Sequence, residues 1–525
     1  MKKSLFLIIA LAFTAYFVWI FSYTMDPKLD LNGDNAIYIS LARNIADGGG
    51  YGSTSLDGTY TPASHFPPGY STILGAAISL GIDTLLGFKI LNGIFLLLSL
   101  GGLIYIAART TRQLYLVIGA AALSLLCPTL MHFAGIVMSE MSYMLFTVVA
   151  LVALYQYSAA TPQGKQMWAF LRSPWFYVAI VAAVGSYHIR TVGASIMAAI
   201  VIFFLFRKEW IATAGSVVGM ILLMIPWMVR NKIYDIHGRY LDTVMVVNPW
   251  RPEEGNISSV GEFFSKTISN LDETVIKGFK EILFPFIEVN YQQPSSFLAV
   301  VGGLIIVGII FWGAWQMGKM RWTVMAFIAG NMGLFALWHG GNGARYVTPI
   351  APILFICFYL GIYALIQLAL KNRIKDHAPY LAVVLLMALP MIAPIRQQHD
   401  IATRPYPIQY QQYFAIAEEL NKRAPEHSVV CCRKPELFKY YAPRLNTARY
   451  IYSEDAKALV DNLVKQKVDY VVLEQLGYSS TPRYLVPAIE QYNQYFPIVW
   501  HLENPDAYLL RFDRVIYEQQ NHIQK

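Results

Sequence analysis

The sequence predicts an α-helical polytopic membrane protein with a small extramembrane α/β domain at its C-terminus. Three observations predict it. Of 525 residues, 56% are hydrophobic and only 14% charged, more apolar side chain than a soluble core hides. The apolar residues fall in long runs near the roughly 20 residues that cross a bilayer. Residues 396–525 lose those runs and alternate short apolar stretches with amphipathic ones.

About eleven spans are read along the chain, at 5–24, 85–108, 114–132, 136–157, 174–187, 190–206, 210–229, 296–316, 323–339, 347–370 and 379–395. The first follows Lys2 and Lys3 and lacks a small-residue cleavage site before Met25-Asp26-Pro27, so a retained span is expected rather than a signal peptide. With a cytoplasmic N-terminus, the inner loops carry Lys2/Lys3, Arg109/Arg112, Lys165/Arg172, Arg207/Lys208, Lys319/Arg321 and Lys371/Arg373/Lys375. That is the pattern of the positive-inside rule. The stretch 174–206 reads as one long helix or as two short ones around Ser186-Tyr187-His188-Ile189-Arg190. A run of about 14 residues reaches only about 21 Å against a hydrocarbon core of about 30 Å. Two short helices keep the charge alternation, with their polar turn recessed into the membrane.

Three long polar segments then fall on the outer side: 25–84, 230–295 and 396–525. In the first, 35–45 reads as an amphipathic helix ending near Gly48-Gly49-Gly50. In the last, Val429-Val430 and Tyr470-Val471-Val472-Leu473 read as buried strands. Residues 455–466 read as a helix with Ala456, Leu459, Val460, Leu463 and Val464 on one face, and 508–512 as a late strand. The expected division is a transmembrane module, 1–395, and a periplasmic α/β domain, 396–525. The net charge of +8 is accounted for by the inner loops, and no nucleic-acid-binding motif or internal repeat is present. Cys127 and Cys357 read as packing residues. Cys431 and Cys432 are adjacent, so on a strand they face opposite ways and do not share a metal.

Several polar residues stand where apolar segments meet the outer side. Asp34, in Gly33-Asp34-Asn35-Ala36-Ile37-Tyr38, reads either as a helix cap or as a carboxylate that takes a proton from an acceptor. Glu140 opens a span beside Ser139, Ser142 and Tyr143, and a carboxylate so near hydrocarbon needs a partner. Together the two acids read as a base with its orienting group or as ligands of a divalent cation, with His65 as a third ligand. Pro67-Pro68-Gly69 fixes the chain after His65. Arg190 and His188 lie in the recessed turn, and Arg345 and Tyr346 follow His339-Gly340-Gly341-Asn342-Gly343-Ala344. Two arginines reaching one cavity suit a phosphate, with His339 at the same group or in a satisfied turn.

In their order these features resemble the GT-C superfamily of polytopic glycosyltransferases. Within it they resemble the bacterial group of RgtA/B/C/D-like enzymes, aminoarabinose transferases and protein mannosyltransferases. The resemblance rests on Asp34 and Tyr38 in the first outer loop, then His65 and Pro67-Pro68-Gly69, Glu140, and Gly343-Ala344-Arg345-Tyr346 with Pro349. It covers roughly 1–395. It implies an inverting transfer of one sugar from a polyprenyl (undecaprenyl) phosphate to a cell-envelope acceptor such as lipid A, lipopolysaccharide or another glycan. The reaction is expected at the periplasmic face of a bacterial inner membrane, with membrane lipids as partners and apolar helix faces, open to the bilayer, holding the prenyl tail. Asp34 matches the first-loop catalytic acid, Glu140 the second acidic position, and Arg345 with Arg190 would stabilise the leaving phosphate. The first loop has a single Gly-Asp where protein mannosyltransferases carry Asp-Glu, and Glu140 stands where aminoarabinose transferases carry Asp. The competing readings are a protein O-glycosyltransferase of the same fold, a transporter or flippase, an oligosaccharide ligase and a non-catalytic partner.

Overall fold

The computed structural model describes residues 3–54, 60–161, 167–236, 244–248, 251–338, 343–370 and 378–520. The chain divides into two compact units. Unit 1 is Met1–Lys28, Ala63–Val247 and Asn256–Thr403; unit 2 is Leu29–Pro62, Asn248–Gly255 and Arg404–Lys525. The segment that carries Asp34 therefore groups with the C-terminal residues.

Unit 1 is helical. Among the described residues, seven helices are long and apolar enough to cross a membrane: Leu7–Thr24, Leu85–Thr111, Glu140–Ala160, Trp210–Ile233, Phe297–Trp315, Gly318–Leu337 and Gly343–Ala369. An eighth exists if Leu114–Ser124 and Pro128–Ala134, bent by 73°, form one span. The eleven spans read from the sequence are thus not all present as continuous crossings. The segment 114–132 breaks because Cys127 turns to an extended backbone and Pro128 starts a new helix without an N–H to donate. The stretch 174–206 is two helices, Pro174–Ile189 and Ala194–Phe206, joined through Arg190 and the 3-10 turn Thr191–Gly193. The segment 379–395 lies within a longer helix, Ala378–Thr403, with Pro390 and Pro394 inside it. The two helices of 174–206 agree with the reading from the polar turn 186–190, whereas apolarity alone does not report the break at Cys127-Pro128.

The helices pack closely where small residues allow it. A Cβ on Gly313 would stand 1.7 Å from the Cys357 carbonyl oxygen, and one on Gly361 would stand 2.1 Å from that of Ile309. Only glycine fits there, so Phe297–Trp315 and Ala351–Ala369 touch backbone to backbone, as membrane helices do at small-residue seams. Cys127 and Cys357 are buried thiols.

Unit 2 has a ribbon, β1 (Gly52–Thr54) with β2 (Tyr60–Pro62), and an open five-stranded sheet. The sheet strands are β3 (Val429–Cys431), β4 (Asn446–Ala448), β5 (Tyr470–Leu473), β6 (Ile498–Leu502) and β7 (Ala507–Arg511), in the order β4-β3-β5-β7-β6. β3 is parallel to β4 and β5; β7 is antiparallel to β5 and β6. The helix Ala456–Lys465 connects β4 to β5 across β3. It begins where the Asp455 side chain accepts from the Ala458 N–H. Its buried Leu459, Val460, Leu463 and Val464 meet Val471, Leu485, Phe496 and Phe512 in one core. Tyr484 and Tyr495 belong to that core as well.

Candidate functional site

In unit 1 the site is built around a buried turn. Asn92, on the helix Leu85–Thr111, donates from Nδ2 to the carbonyls of Ile136 (2.7 Å) and Met138 (3.2 Å). Its Oδ1 accepts from the Tyr70 hydroxyl at 3.2 Å. Asn92, Tyr70 and Met138 have no exposed surface, so these bonds form away from water and leaving one unmade is costly. They fix residues 136–138 and, through them, the start of Glu140–Ala160.

Glu140 is wholly buried. Its Oε1 accepts from the Arg190 guanidinium at 2.8 Å and meets Arg345 Nε at 3.5 Å. Arg190 also donates to Ser139 Oγ at 3.1 Å. An unpaired buried carboxylate would be destabilised by several kcal/mol, which the two cations offset. Glu140 Oε2 has no hydrogen-bond partner among the described residues. Arg190 is the extended residue that ends Pro174–Ile189; its N–H donates to Ser186 O and its carbonyl accepts from Gly193. The break in 174–206 is thus what turns this guanidinium toward Glu140. Arg345 arrives on the short helix Gly343–Val347 and lies 5.7 Å from the Phe133 ring centre.

The remaining expected residues take other places. A Cβ on Gly69 would stand 2.8 Å from the His188 carbonyl oxygen, so the Pro67-Pro68-Gly69 turn abuts the end of the arginine-bearing helix. The His188 ring lies 2.8 Å from the Val184 carbonyl through Nδ1 and packs edge-on to Trp227. His65 is exposed and meets Phe66 edge to face. The Tyr346 hydroxyl accepts from Trp338 Nε1 at 2.9 Å, and its ring stacks on Phe335. His339 lies outside the described residues, as do Lys2, Lys165, Lys371, Arg373 and Lys375.

Asp34 is in unit 2 and is half-buried. Gly33, not Asp34, holds the cap position of the helix Asp34–Ala46, at φ 94°, a backbone region that favours glycine. The Asp34 N–H donates to Asn32 Oδ1 at 2.8 Å, Asn32 N–H to Asp30 Oδ1 at 2.9 Å, and Asn35 Nδ2 to the Asp30 carbonyl at 2.8 Å. The Lys434 ammonium, just beyond β3, donates to the Asn32 carbonyl at 2.7 Å. Tyr38 is buried on the same helix.

A divalent cation on Asp34, Glu140 and His65 gains no support. Among the described residues, no group of three His, Cys, Asp or Glu side chains is placed to hold a metal ion. Within unit 1, the Glu140 carboxylate faces two guanidiniums, which would repel a divalent cation. The sequence reading missed Asn92, Tyr70, Lys89 and Lys434. Lys89 is almost fully buried, its ammonium donating to the carbonyls of Asp26 and Lys28. Lys89 and Asn92 interrupt an apolar run, the signal that would have found them.

No protein-family model matches the chain, and no curated protein matches it by sequence. Solved structures do match. ArnT from Cupriavidus metallidurans bound to undecaprenyl phosphate is similar at TM-score 0.57 and 14% identity, over 95% of this chain and 97% of that one. The archaeal oligosaccharyltransferase AglB from Archaeoglobus fulgidus, with an inhibitory peptide and a dolichol-phosphate, is similar at 0.55 and 14%, over 90% of this chain and 69% of that one. An oligosaccharyltransferase from Archaeoglobus fulgidus tethered with an acceptor peptide is similar at 0.54 and 13%, over 97% of this chain and 74% of that one. The chain therefore shares the fold of these solved proteins: long apolar helices with a sheet-containing C-terminal unit.

Proposed function

We propose that the protein is a glycosyltransferase that moves a sugar from a polyprenyl-phosphate donor to an acceptor at the outer face of a bacterial inner membrane. The carrying observation is the buried Glu140 carboxylate held by Arg190 and Arg345. One negative and two positive charges leave the cluster with a net positive charge, the complement of a phosphate. The acceptor's nucleophilic atom attacks the anomeric carbon, the bond from that carbon to the phosphate oxygen breaks, and its electron pair stays on the phosphate. The acceptor's proton passes to a base, for which Asp34 is the candidate. The arginines stabilise the charge gathering on the leaving phosphate. The fold shared with proteins solved with undecaprenyl phosphate and a dolichol-phosphate supports the donor class.

For the acceptor, a protein has more support than lipid A. The archaeal structures of this fold carry inhibitory and acceptor peptides, whereas ArnT is described with undecaprenyl phosphate alone. The test incubates purified protein with a panel of polyprenyl-phosphate sugars and a cell-envelope extract, and follows free polyprenyl phosphate and tagged product by mass spectrometry. Wild type is expected to release polyprenyl phosphate, with Asp34→Asn and Arg345→Ala failing to do so. Folded wild type that turns over no donor would move the reading to a transporter.

A further inference from the structure

A cavity lies in unit 1, lined by residues the sugar-transfer reading does not use. Its volume is about 320 Å3, and its lining includes Ser158, Phe206, Arg207, Lys319, Arg321 and Thr323. The loops 207–209 and 318–321 meet there, and Gly318 lies against the Thr110 carbonyl. Basic loops read from the sequence as lying on one side of the membrane thus come together at one end of the helices.

The charges in the cavity do not cancel. Arg207 is committed: it pairs with Glu209 at 2.7 Å, donates to the Thr161 carbonyl, and packs on the rings of Tyr157 and Phe203. Glu209 also accepts from the Tyr157 hydroxyl at 2.8 Å. Lys319 and Arg321 have no carboxylate partner among the described residues, which leaves two positive charges. Arg321 is held by the Gly318 carbonyl at 3.0 Å and by the Trp315 ring. The cavity also meets the N-terminus of the 17-residue helix Arg321–Leu337, which no side chain caps; its first-turn N–H groups favour an anion.

An independent observation points to a ligand. Thr323, in that first turn, is 1% exposed, and its Oγ1 has no hydrogen-bond partner among the described residues. A buried hydroxyl without a partner is unfavourable unless something completes it. Thr323 is among the residues that line a cavity with two unbalanced cations.

We propose that this cavity binds the phosphodiester headgroup of an anionic phospholipid. The phosphate oxygens accept from Lys319, Arg321 and the Thr323 hydroxyl. The rim separates a lipid from free phosphate: Phe206 stacks on Trp322 at 4.2 Å, and Trp315 meets Trp322 edge to face, all three with exposed ring surface. Such aromatics sit at the headgroup level of a bilayer, where acyl chains can lie along them, and basic pockets between membrane helices suit acidic headgroups. A zwitterionic lipid brings its own ammonium against Lys319 and Arg321. This inference does not depend on the sugar-transfer reading.

The test is native mass spectrometry of the delipidated full chain in detergent, titrated with phosphatidylglycerol, phosphatidylcholine or inorganic phosphate. Phosphatidylglycerol is expected to bind at least about tenfold tighter than phosphatidylcholine. Lys319→Ala and Arg321→Ala are each expected to weaken it about fivefold. The near-isosteric Thr323→Val tests the site if either charge variant fails to fold, and is expected to weaken binding severalfold. Lys422→Ala, on the surface of unit 2, is expected to change nothing. Equal binding of the two lipids, inorganic phosphate binding as tightly as phosphatidylglycerol, or folded variants that bind like wild type would overturn the proposal.

Discussion

Removing Arg190 tests the site most directly. Glu140 is wholly buried and its shortest contact is the 2.8 Å pair to Arg190; Arg345 stands farther, at 3.5 Å. Arg190→Ala therefore strands a buried carboxylate with one weak partner, and breaking such a pair destabilises by about 3–5 kcal/mol. Arg345 remains, so the low end, about 3 kcal/mol, is expected. Glu140→Gln removes the charge and keeps the shape. In the double variant Arg190→Ala/Glu140→Gln no anion is stranded, and most of the loss is expected to return. The assay is unfolding of the detergent-solubilised protein in a four-member cycle, with coupling of about 2 kcal/mol or more. Single-variant losses that add within about 0.5 kcal/mol would show that the two groups do not interact, and the reasoning would fall. Donor turnover read on the same proteins separates stability from chemistry. A folded Arg190→Ala is expected to lose about 10²- to 10³-fold in kcat, as when one donor to a developing oxyanion is removed.

Three further predictions follow from single contacts. Asn92→Leu removes the amide bonds to the Ile136 and Met138 carbonyls and the acceptor of the Tyr70 hydroxyl; it is expected to destabilise by about 1–3 kcal/mol in the same unfolding assay and to lower kcat. Lys434→Ala removes the ammonium from the Asn32 carbonyl; hydrogen exchange of residues 30–38 is expected to speed up, with Lys434→Arg restoring part of the protection. Burial raises the Glu474 carboxyl above its usual value, while the Thr481 hydroxyl, the Leu476 N–H and Arg433 pull it down. The folded state therefore holds this proton more tightly than the unfolded chain. The stability it contributes is full below the ordinary glutamate range and is lost as pH rises through the raised folded value; Glu474→Ala is expected to remove that pH dependence from thermal unfolding.

Local pattern was readable where one element carries its own signal. The helix Ala456–Lys465 shows an apolar face and an aspartate cap, and the helix Asp34–Ala46 ends before its glycines as expected. β6 was not readable: Ile498 and Val499 are 61% and 54% exposed on an edge strand, so its alternation carries no inward face. Composition reports apolarity and not breaks, as at Cys127-Pro128, whereas the polar turn before Arg190 made the break in 174–206 readable. The site residues stood out as charges in apolar surroundings, but their pairing did not. Residues 140, 190 and 345 are far apart in the sequence and meet only through the fold.

Under the proposed function, a buried carboxylate among the arginines that hold the phosphate needs a reason, since it opposes the ligand's charge. Without it, Arg190 and Arg345 would face each other as like charges in surroundings of low dielectric, where repulsion is strong. Oε1 holds both guanidiniums in place before any donor arrives, so no reorganisation is needed at the reaction. A sugar–phosphate diester carries one negative charge, and the cluster's net positive charge matches it in the ground state. As the glycosidic bond breaks, the leaving phosphate becomes a monoester with further negative charge. On this proposal the two arginines then attract it more strongly than before, and that difference, rather than the binding itself, would speed the step. On this proposal the positive charge beside Glu140 comes from Arg190 and Arg345.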